Sequence, residues 1–469
     1  MIVTAVKTPP RAAPILGLSA GIGLLPGIAF AHASERMVIL TLPTGYYILG
    51  AALTVALTAI LTLILPRFSG LSPRPIMTLS AERRTAWGGW LATLALFVLL
   101  AVGFFGSHDP FRNLLPLTIW TALWVWLTML TAIVGNLWPA IDPWRAPVRW
   151  LRQRIGRQGG IGLARLGHWP AVAGYFAFAW FEIVSLAPDA PERLAVVAFG
   201  YWALILALAV AEGEAWLAKG EFLTVYFGFI ARIAPVWVEE REAGRTVMAG
   251  FPGAQIMTMA PLSASAIAFV TLLLASVSFD GLSETFWWIV RLGINPLEFP
   301  GRSAVQWQNT FGLAMTWGLM AATILTAIIL GVRLGGASHP GAAIGPMMLS
   351  FLPIAAGYHI AHYLIQSLTV GQYLIAALSD PFGSGWDIFG LGPHWVSFGF
   401  LSRAGPVHAI WNVQFAIILG AHVLAVILSH RLGGLIGNRA GFRAHLPLTV
   451  LMVLYTMLGL WLLSAPTAG

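Results

Sequence analysis

Ten apolar runs, each close to the ~20 residues that a helix needs to cross a bilayer, leave this chain few folds to choose from. They lie at about 45–65, 87–106, 116–138, 170–187, 194–212, 260–278, 308–331, 347–369, 408–428 and 447–464. A hydrocarbon core offers the backbone no water, so each N–H and C=O must pair within the spanning element, which a helix does unaided. The pattern predicts an all-α fold, a polytopic integral membrane helical bundle of about ten transmembrane helices. Composition agrees, because only 9% of the residues are charged against about 25% in soluble proteins.

Ahead of these runs, Lys7 and Arg11 precede an apolar stretch from Pro14 to Phe30 that ends in AFAHASERM. This is the charged, apolar and small-residue order of a secretory signal. Cleavage after Ala31 makes His32 the mature amino terminus, where amine and imidazole can bind one metal ion together; cleavage after Ala33 removes that histidine. The first cut gives a signal peptide at 1–31 and a single transmembrane domain at 32–469.

With the mature amino terminus outside, six basic residues fall in external loops: Arg36, Arg112, Arg193, Arg291, Arg302 and Arg403. The inner loops carry eighteen, from Arg67 to Arg443. This asymmetry follows the positive-inside rule and places the protein in a bacterial inner membrane, multi-pass, with both mature termini periplasmic. It also accounts for the net charge of +8 without nucleic acid. Trp90, Trp138, Trp144, Trp287 and Trp288 lie near span ends, where an indole suits the headgroup region. Two long external loops, 279–307 and 379–407, are of the kind that covers a site. The stretch 222–237, FLTVYFGFIARIAPVW, is broken by Arg232 and Pro235 and is expected as a cytoplasmic interfacial helix.

The chain contains no cysteine, which excludes disulfides, thiolate zinc sites and cysteine nucleophiles. The sharpest chemical signal is GYHIAHYLI, 357–365. His359 and His362 are three residues apart, about 300° of helical turn, so both imidazoles fall near one face. His422 in the ninth run is a third candidate for the same ion. Ionisable groups at membrane depth are costly and therefore functional candidates, with hydrogen bonding between helices as the competing role. Glu182 in the fourth run can ligate a metal, act as a base, neutralise a buried cation or serve in structural pairing, and Asp280 at the end of the sixth is a candidate for a lid or for support of a metal ligand. Asp380, Asp387 and His394 are lid or supporting candidates. No Walker loop, nucleophile elbow or His-Glu-x-x-His signature occurs.

Several stretches together, AHASE, TGYYILGAALTV, DPFRNLLPLTIW, GNLWPAIDPWR, GEFLTVYFGFIARIAP, SFDG, YHIAHYLI and LGAHVLAVILSHR, resemble the membrane-bound fenitrothion hydrolase family. That resemblance implies a periplasm-facing, metal-dependent hydrolase of organophosphorus triesters, acting on a lipophilic small molecule in the lipid bilayer and assembled with a related subunit. In that chemistry a divalent transition metal, zinc or copper, activates water, with His359, His362, His422 and His32 as ligands and Glu182 and Asp280 as catalytic groups. Two alternatives use the same histidines. One is a b-haem electron-transfer subunit, with His422 facing His359 or His362. The other is a copper transporter, with a path through His32, His408, His359, His362 and His422, assisted by Met347 and Met348.

Overall fold

The computed structural model describes residues 44–64, 73–79, 87–241, 244–336, 341–392, 394–436 and 442–467. Its architecture is the expected helical membrane bundle. Among the described residues nine helices are long and apolar enough to cross a bilayer. Those at Thr44–Ile64 (α1), Trp87–Phe105 (α2) and Leu114–Val134 (α3) come first. Pro191–Glu212 (α5), Ala264–Ser283 (α7), Gln306–Leu334 (α8), Gly341–His362 (α9), Ala404–Ile436 (α11) and Phe442–Ser464 (α12) follow.

The remaining expected run, the fourth, is the helix Trp169–Ile183 (α4), whose 15 residues give about 22 Å at 1.5 Å per residue. It nevertheless joins the two ends of the bundle. At its start the His168 N–H donates to Ser265 Oγ (3.0 Å), beside the first turn of α7. At its finish the Arg302 guanidinium, from the loop before α8, donates to the Glu182 carbonyl (2.6 Å).

One end of the bundle is rich in arginine. Helix Arg145–Arg154 packs there against the end of α5, with Arg149 paired to Glu214 (2.8 Å) and Arg152 donating to the Val210 carbonyl (2.6 Å). Glu212 accepts four backbone N–H groups, from Ile161 to Ala164, and folds the glycine-rich segment onto the same end. The three-stranded antiparallel sheet there, Arg74–Leu79 (β1), Val236–Arg241 (β2) and Gly244–Ala249 (β3), has the order β1-β3-β2. At the opposite end Thr285 bridges to Thr467, and the Tyr47 hydroxyl donates to Asn412. The two long loops lie at this second end, the loop end.

Two segments depart from expectation. Residues 222–237 do not form one surface helix: Phe222–Ile230 (α6) is buried inside the bundle, and Val236 begins β2. The buried Glu221 caps α6, accepting the N–H groups of Leu223 (2.8 Å) and Thr224 (2.6 Å). With its first-turn donors satisfied by that cap, an apolar helix gains more from protein contact than from the interface. The expected run 347–369 starts earlier and is interrupted. α9 ends at His362, Tyr363 (φ −88°, ψ 8°) breaks the helix, and Leu364–Ser379 (α10) continues toward the loop end.

Close packing relies on small residues. A Cβ placed on Gly357 would lie 2.4 Å from Ala421 Cβ, and one on Gly331 would lie 2.3 Å from the Ala444 carbonyl oxygen. Such approaches bring helix backbones together where the hydrophobic effect gives little drive for association.

Candidate functional site

The polar interior centres on the break between α9 and α10. Tyr363 Oη lies 2.8 Å from Glu182 Oε1 on α4 and 2.8 Å from Asp280 Oδ2 on α7. His362 Nε2 is 2.9 Å from the same Asp280 oxygen. All four side chains are buried, so three helices that are distant in sequence meet in one hydrogen-bonded cluster. A phenol carries one proton. It can satisfy only one carboxylate fully, so the second bond is complete only when one of the two carboxyl groups carries a proton.

The two acids singled out in the sequence are therefore neighbours, and His362 joins them. His359 does not. Its Nε2 lies 2.9 Å from the Trp124 carbonyl oxygen, its Nδ1 is 3.5 Å from Tyr226 Oη, and its ring packs against Trp124 and Tyr363. The spacing of three placed both imidazoles on neighbouring faces, but each is claimed by a different helix. His422 stands apart, with Nδ1 2.9 Å from the Ile418 carbonyl oxygen of its own helix and Nε2 buried without a hydrogen-bond partner.

Consequently the three histidines do not form one metal centre. Among the described residues no group of three or more His, Asp or Glu is arranged to hold a metal ion. For the expected bis-histidine haem pair, His359 has protein partners at both ring nitrogens and His362 Nε2 is tied to Asp280 Oδ2. His32, and the cleavage sites around it, lie outside the described residues.

The external-loop acids have local roles. Asp380 accepts the N–H groups of Ser384 and Gly385 (both 2.8 Å). Asp387 accepts those of Leu391 (2.8 Å) and Gly392 (3.2 Å), which hold its carboxyl below the ordinary aspartate range.

From the loop end a cleft of about 50 Å³ descends to Glu182. Pro110, Phe111, Trp120, Thr121, Pro188, Asp189 and Gln366 line it beside Glu182. Residues 118–126 of α3 form a π-helix, a conformation that often accompanies functional sites. The cleft and cluster share Glu182, so the loop end leads to a buried set of ionisable groups. Sequence reading missed Tyr363, although it directly follows His362. It also missed Asp189, Thr121 and Gln366, which carry no motif.

Fold and site together describe a polytopic membrane protein with an end-facing cleft above a buried acidic cluster. No family model matches the chain, and no solved structure matches it. Among curated proteins it is similar to probable quinate permeases. The match to the Aspergillus flavus protein is 29% identical over 113 residues, covering 24% of this chain and 21% of that protein. The match to the Aspergillus terreus protein is 30% identical over 105 residues, covering 22% and 19%. The chain thus spans about a fifth of the length of the curated relatives it matches.

These findings correct the expected activity. The similar proteins are named as membrane transporters, and the metal centre required for organophosphorus triester hydrolysis is not assembled among the described residues. The transporter alternative stands closer.

Proposed function

We propose that the protein is a membrane transporter that moves a small solute through the bundle, with the site at Glu182 as an early station from the loop end. The observation that carries this reading is the cleft, which opens at the loop end and stops at a carboxylate tied to the interior cluster. A closed, water-filled pit would serve an enzyme or a transporter equally. What favours transport is the position of the cluster at the junction of α9 and α10, where one residue, Tyr363, both interrupts a helix and bridges two others. A change in that junction would expose the cluster from the other end, as alternating access requires.

Inner-membrane residence with a periplasmic loop end belongs to the same proposal and rests on the arginine asymmetry. The test is uptake by proteoliposomes carrying the purified full-length chain. Quinate, the solute in the relatives' name, is measured beside neutral polyols and alkylammonium ions. Saturable uptake of one class above empty liposomes is the expected result. Absence of protein-dependent flux for every class, with the protein folded, would remove the proposal.

A further inference from the structure

We infer that the groove at the arginine-rich end, formed by helix Arg145–Arg154, the segment after it and Glu214, binds the phosphodiester headgroup of an anionic phospholipid. The inference is independent of the transport reading and of which leaflet the arginine-rich end meets.

Three observations converge. The first is the groove itself, about 410 Å³ in volume and lined by Arg149, Arg152, Arg157, Gln153, Gln158 and Glu214. Sites of ~300–1,000 Å³ hold small organic groups, so this one is large enough for a headgroup.

The second is how its charge is held. Glu214 neutralises Arg149, taking bonds from Nε (3.0 Å) and Nη2 (2.8 Å). Arg152 instead donates to the carbonyls of Val210 (2.6 Å), Gln158 (3.0 Å) and Gly159 (3.1 Å), and Arg157 Nε donates to that of Ala211 (3.1 Å). A carbonyl fixes a guanidinium without cancelling its charge, and the end of α5 that supplies two of them adds only about half a negative charge. Arg157 is exposed, and its Nε bond leaves the Nη fork that suits a phosphate. Across 142–165 six arginines meet three carboxylates, those of Asp142, Glu212 and Glu214. The surroundings therefore add to the positive field of the groove.

The third is its level in the bilayer. Trp150 packs edge-on against Trp90 (ring centroids 6.2 Å apart), in the first turn of the spanning helix α2, and Arg154 lies over the Trp150 ring at 5.6 Å. Indoles at span ends mark the headgroup region. Trp150 and Ile155, each next in sequence to a lining residue, are 46% and 59% exposed. A soluble phosphate meets only the arginines, whereas a phospholipid also covers these apolar side chains. Basic pockets beside membrane helices hold anionic headgroups by the same combination. A zwitterionic lipid brings its own ammonium, which the surplus positive charge repels.

The experiment is native mass spectrometry of the full-length protein in nonionic detergent, with graded dioleoylphosphatidylglycerol or dioleoylphosphatidylcholine. The expected result is a saturable phosphatidylglycerol adduct, formed at a lipid concentration about tenfold or more below that needed for phosphatidylcholine. Arg157→Gln, which removes a charge, and Gln153→Glu, which adds an opposing one at an exposed lining position, should each weaken phosphatidylglycerol about fivefold. Thermal unfolding midpoints identify the variants that remain folded, and Arg291→Gln at the loop end should leave lipid binding unchanged. Equal binding of the two lipids, or unchanged phosphatidylglycerol affinity in either folded groove variant, would overturn the inference. So would an equal loss in Arg291→Gln, which would indicate attraction to net charge alone. Displacement of the lipid by glycerol phosphate at matching concentration would assign the groove to a soluble phosphate and also overturn it.

Discussion

Substituting Tyr363 by phenylalanine isolates the cluster's central bond. The ring is retained in its buried position, and only the hydroxyl that lies 2.8 Å from both Glu182 Oε1 and Asp280 Oδ2 is removed. Hydrogen bonds to charged groups contribute about 1.5–3 kcal/mol each, whereas side-chain bonds measured between membrane helices average ~0.6 kcal/mol. One charged and one neutral bond therefore bracket the loss between about 1 and about 4.5 kcal/mol. The buried carboxylates left facing each other place the expectation near about 2–4 kcal/mol. Reversible unfolding in mixed micelles measures it. The stronger test is a double-mutant cycle with Asp280→Asn, since contacting residues couple by about 0.5–3 kcal/mol while distant ones add. The bridge predicts a coupling of at least about 1 kcal/mol. Additivity within ~0.5 kcal/mol would show that the hydroxyl does not join the two acids, and the cluster as described would fall.

Two further outcomes test the packing and the loop. Gly331→Ala should destabilise by about 1–3 kcal/mol, because the new Cβ meets the Ala444 carbonyl at 2.3 Å. Gly318→Ala, in the same helix with nothing within 4 Å, should be neutral or gain up to about 1 kcal/mol. Equal effects in thermal unfolding would refute the close approach of α8 and α12. At the loop end, the Asp387 carboxyl is held below the ordinary aspartate value of 3.8 by its backbone donors. A depressed acid stabilises the folded loop fully above that value, and the contribution is lost as pH falls through the folded one. Amide exchange at Leu391 and Gly392 should stay protected to below pH 3.8 and then accelerate, with the pH dependence reduced in Asp387→Ala. Protection that ignores both pH and the substitution would remove the carboxylate from its role.

The chain's apolar runs are sufficient for its class. Their length, and the requirement that every backbone polar group pair within hydrocarbon, make a helical bundle the available solution. The run at 170–187 was legible too, although α4 proved shorter than a full span. The segment 222–237 was not, because its fate depends on a partner. Phe222 to Ile230 are equally apolar whether they face lipid or protein, and only the space between α3, α4 and α9 decides that α6 is buried.

The site divides in the same way. Glu182, Asp280 and His362 were visible one at a time, since an ionisable residue in an apolar run is conspicuous. Their meeting was not visible, because Glu182 and Asp280 lie on different helices and proximity across a bundle depends on helix rotation and tilt. Spacing along one helix placed His359 beside His362, yet the neighbouring helices draw them apart: Trp124 offers a carbonyl to one ring and Asp280 a carboxylate to the other. Sequence alone determined that this protein spans a membrane and which polar residues it carries there. Tertiary structure decided which of them touch, because His359, His362 and Tyr363 pair with the acceptors that packing brings beside them. That selection replaced an expected metal centre with an acidic cluster beneath a cleft.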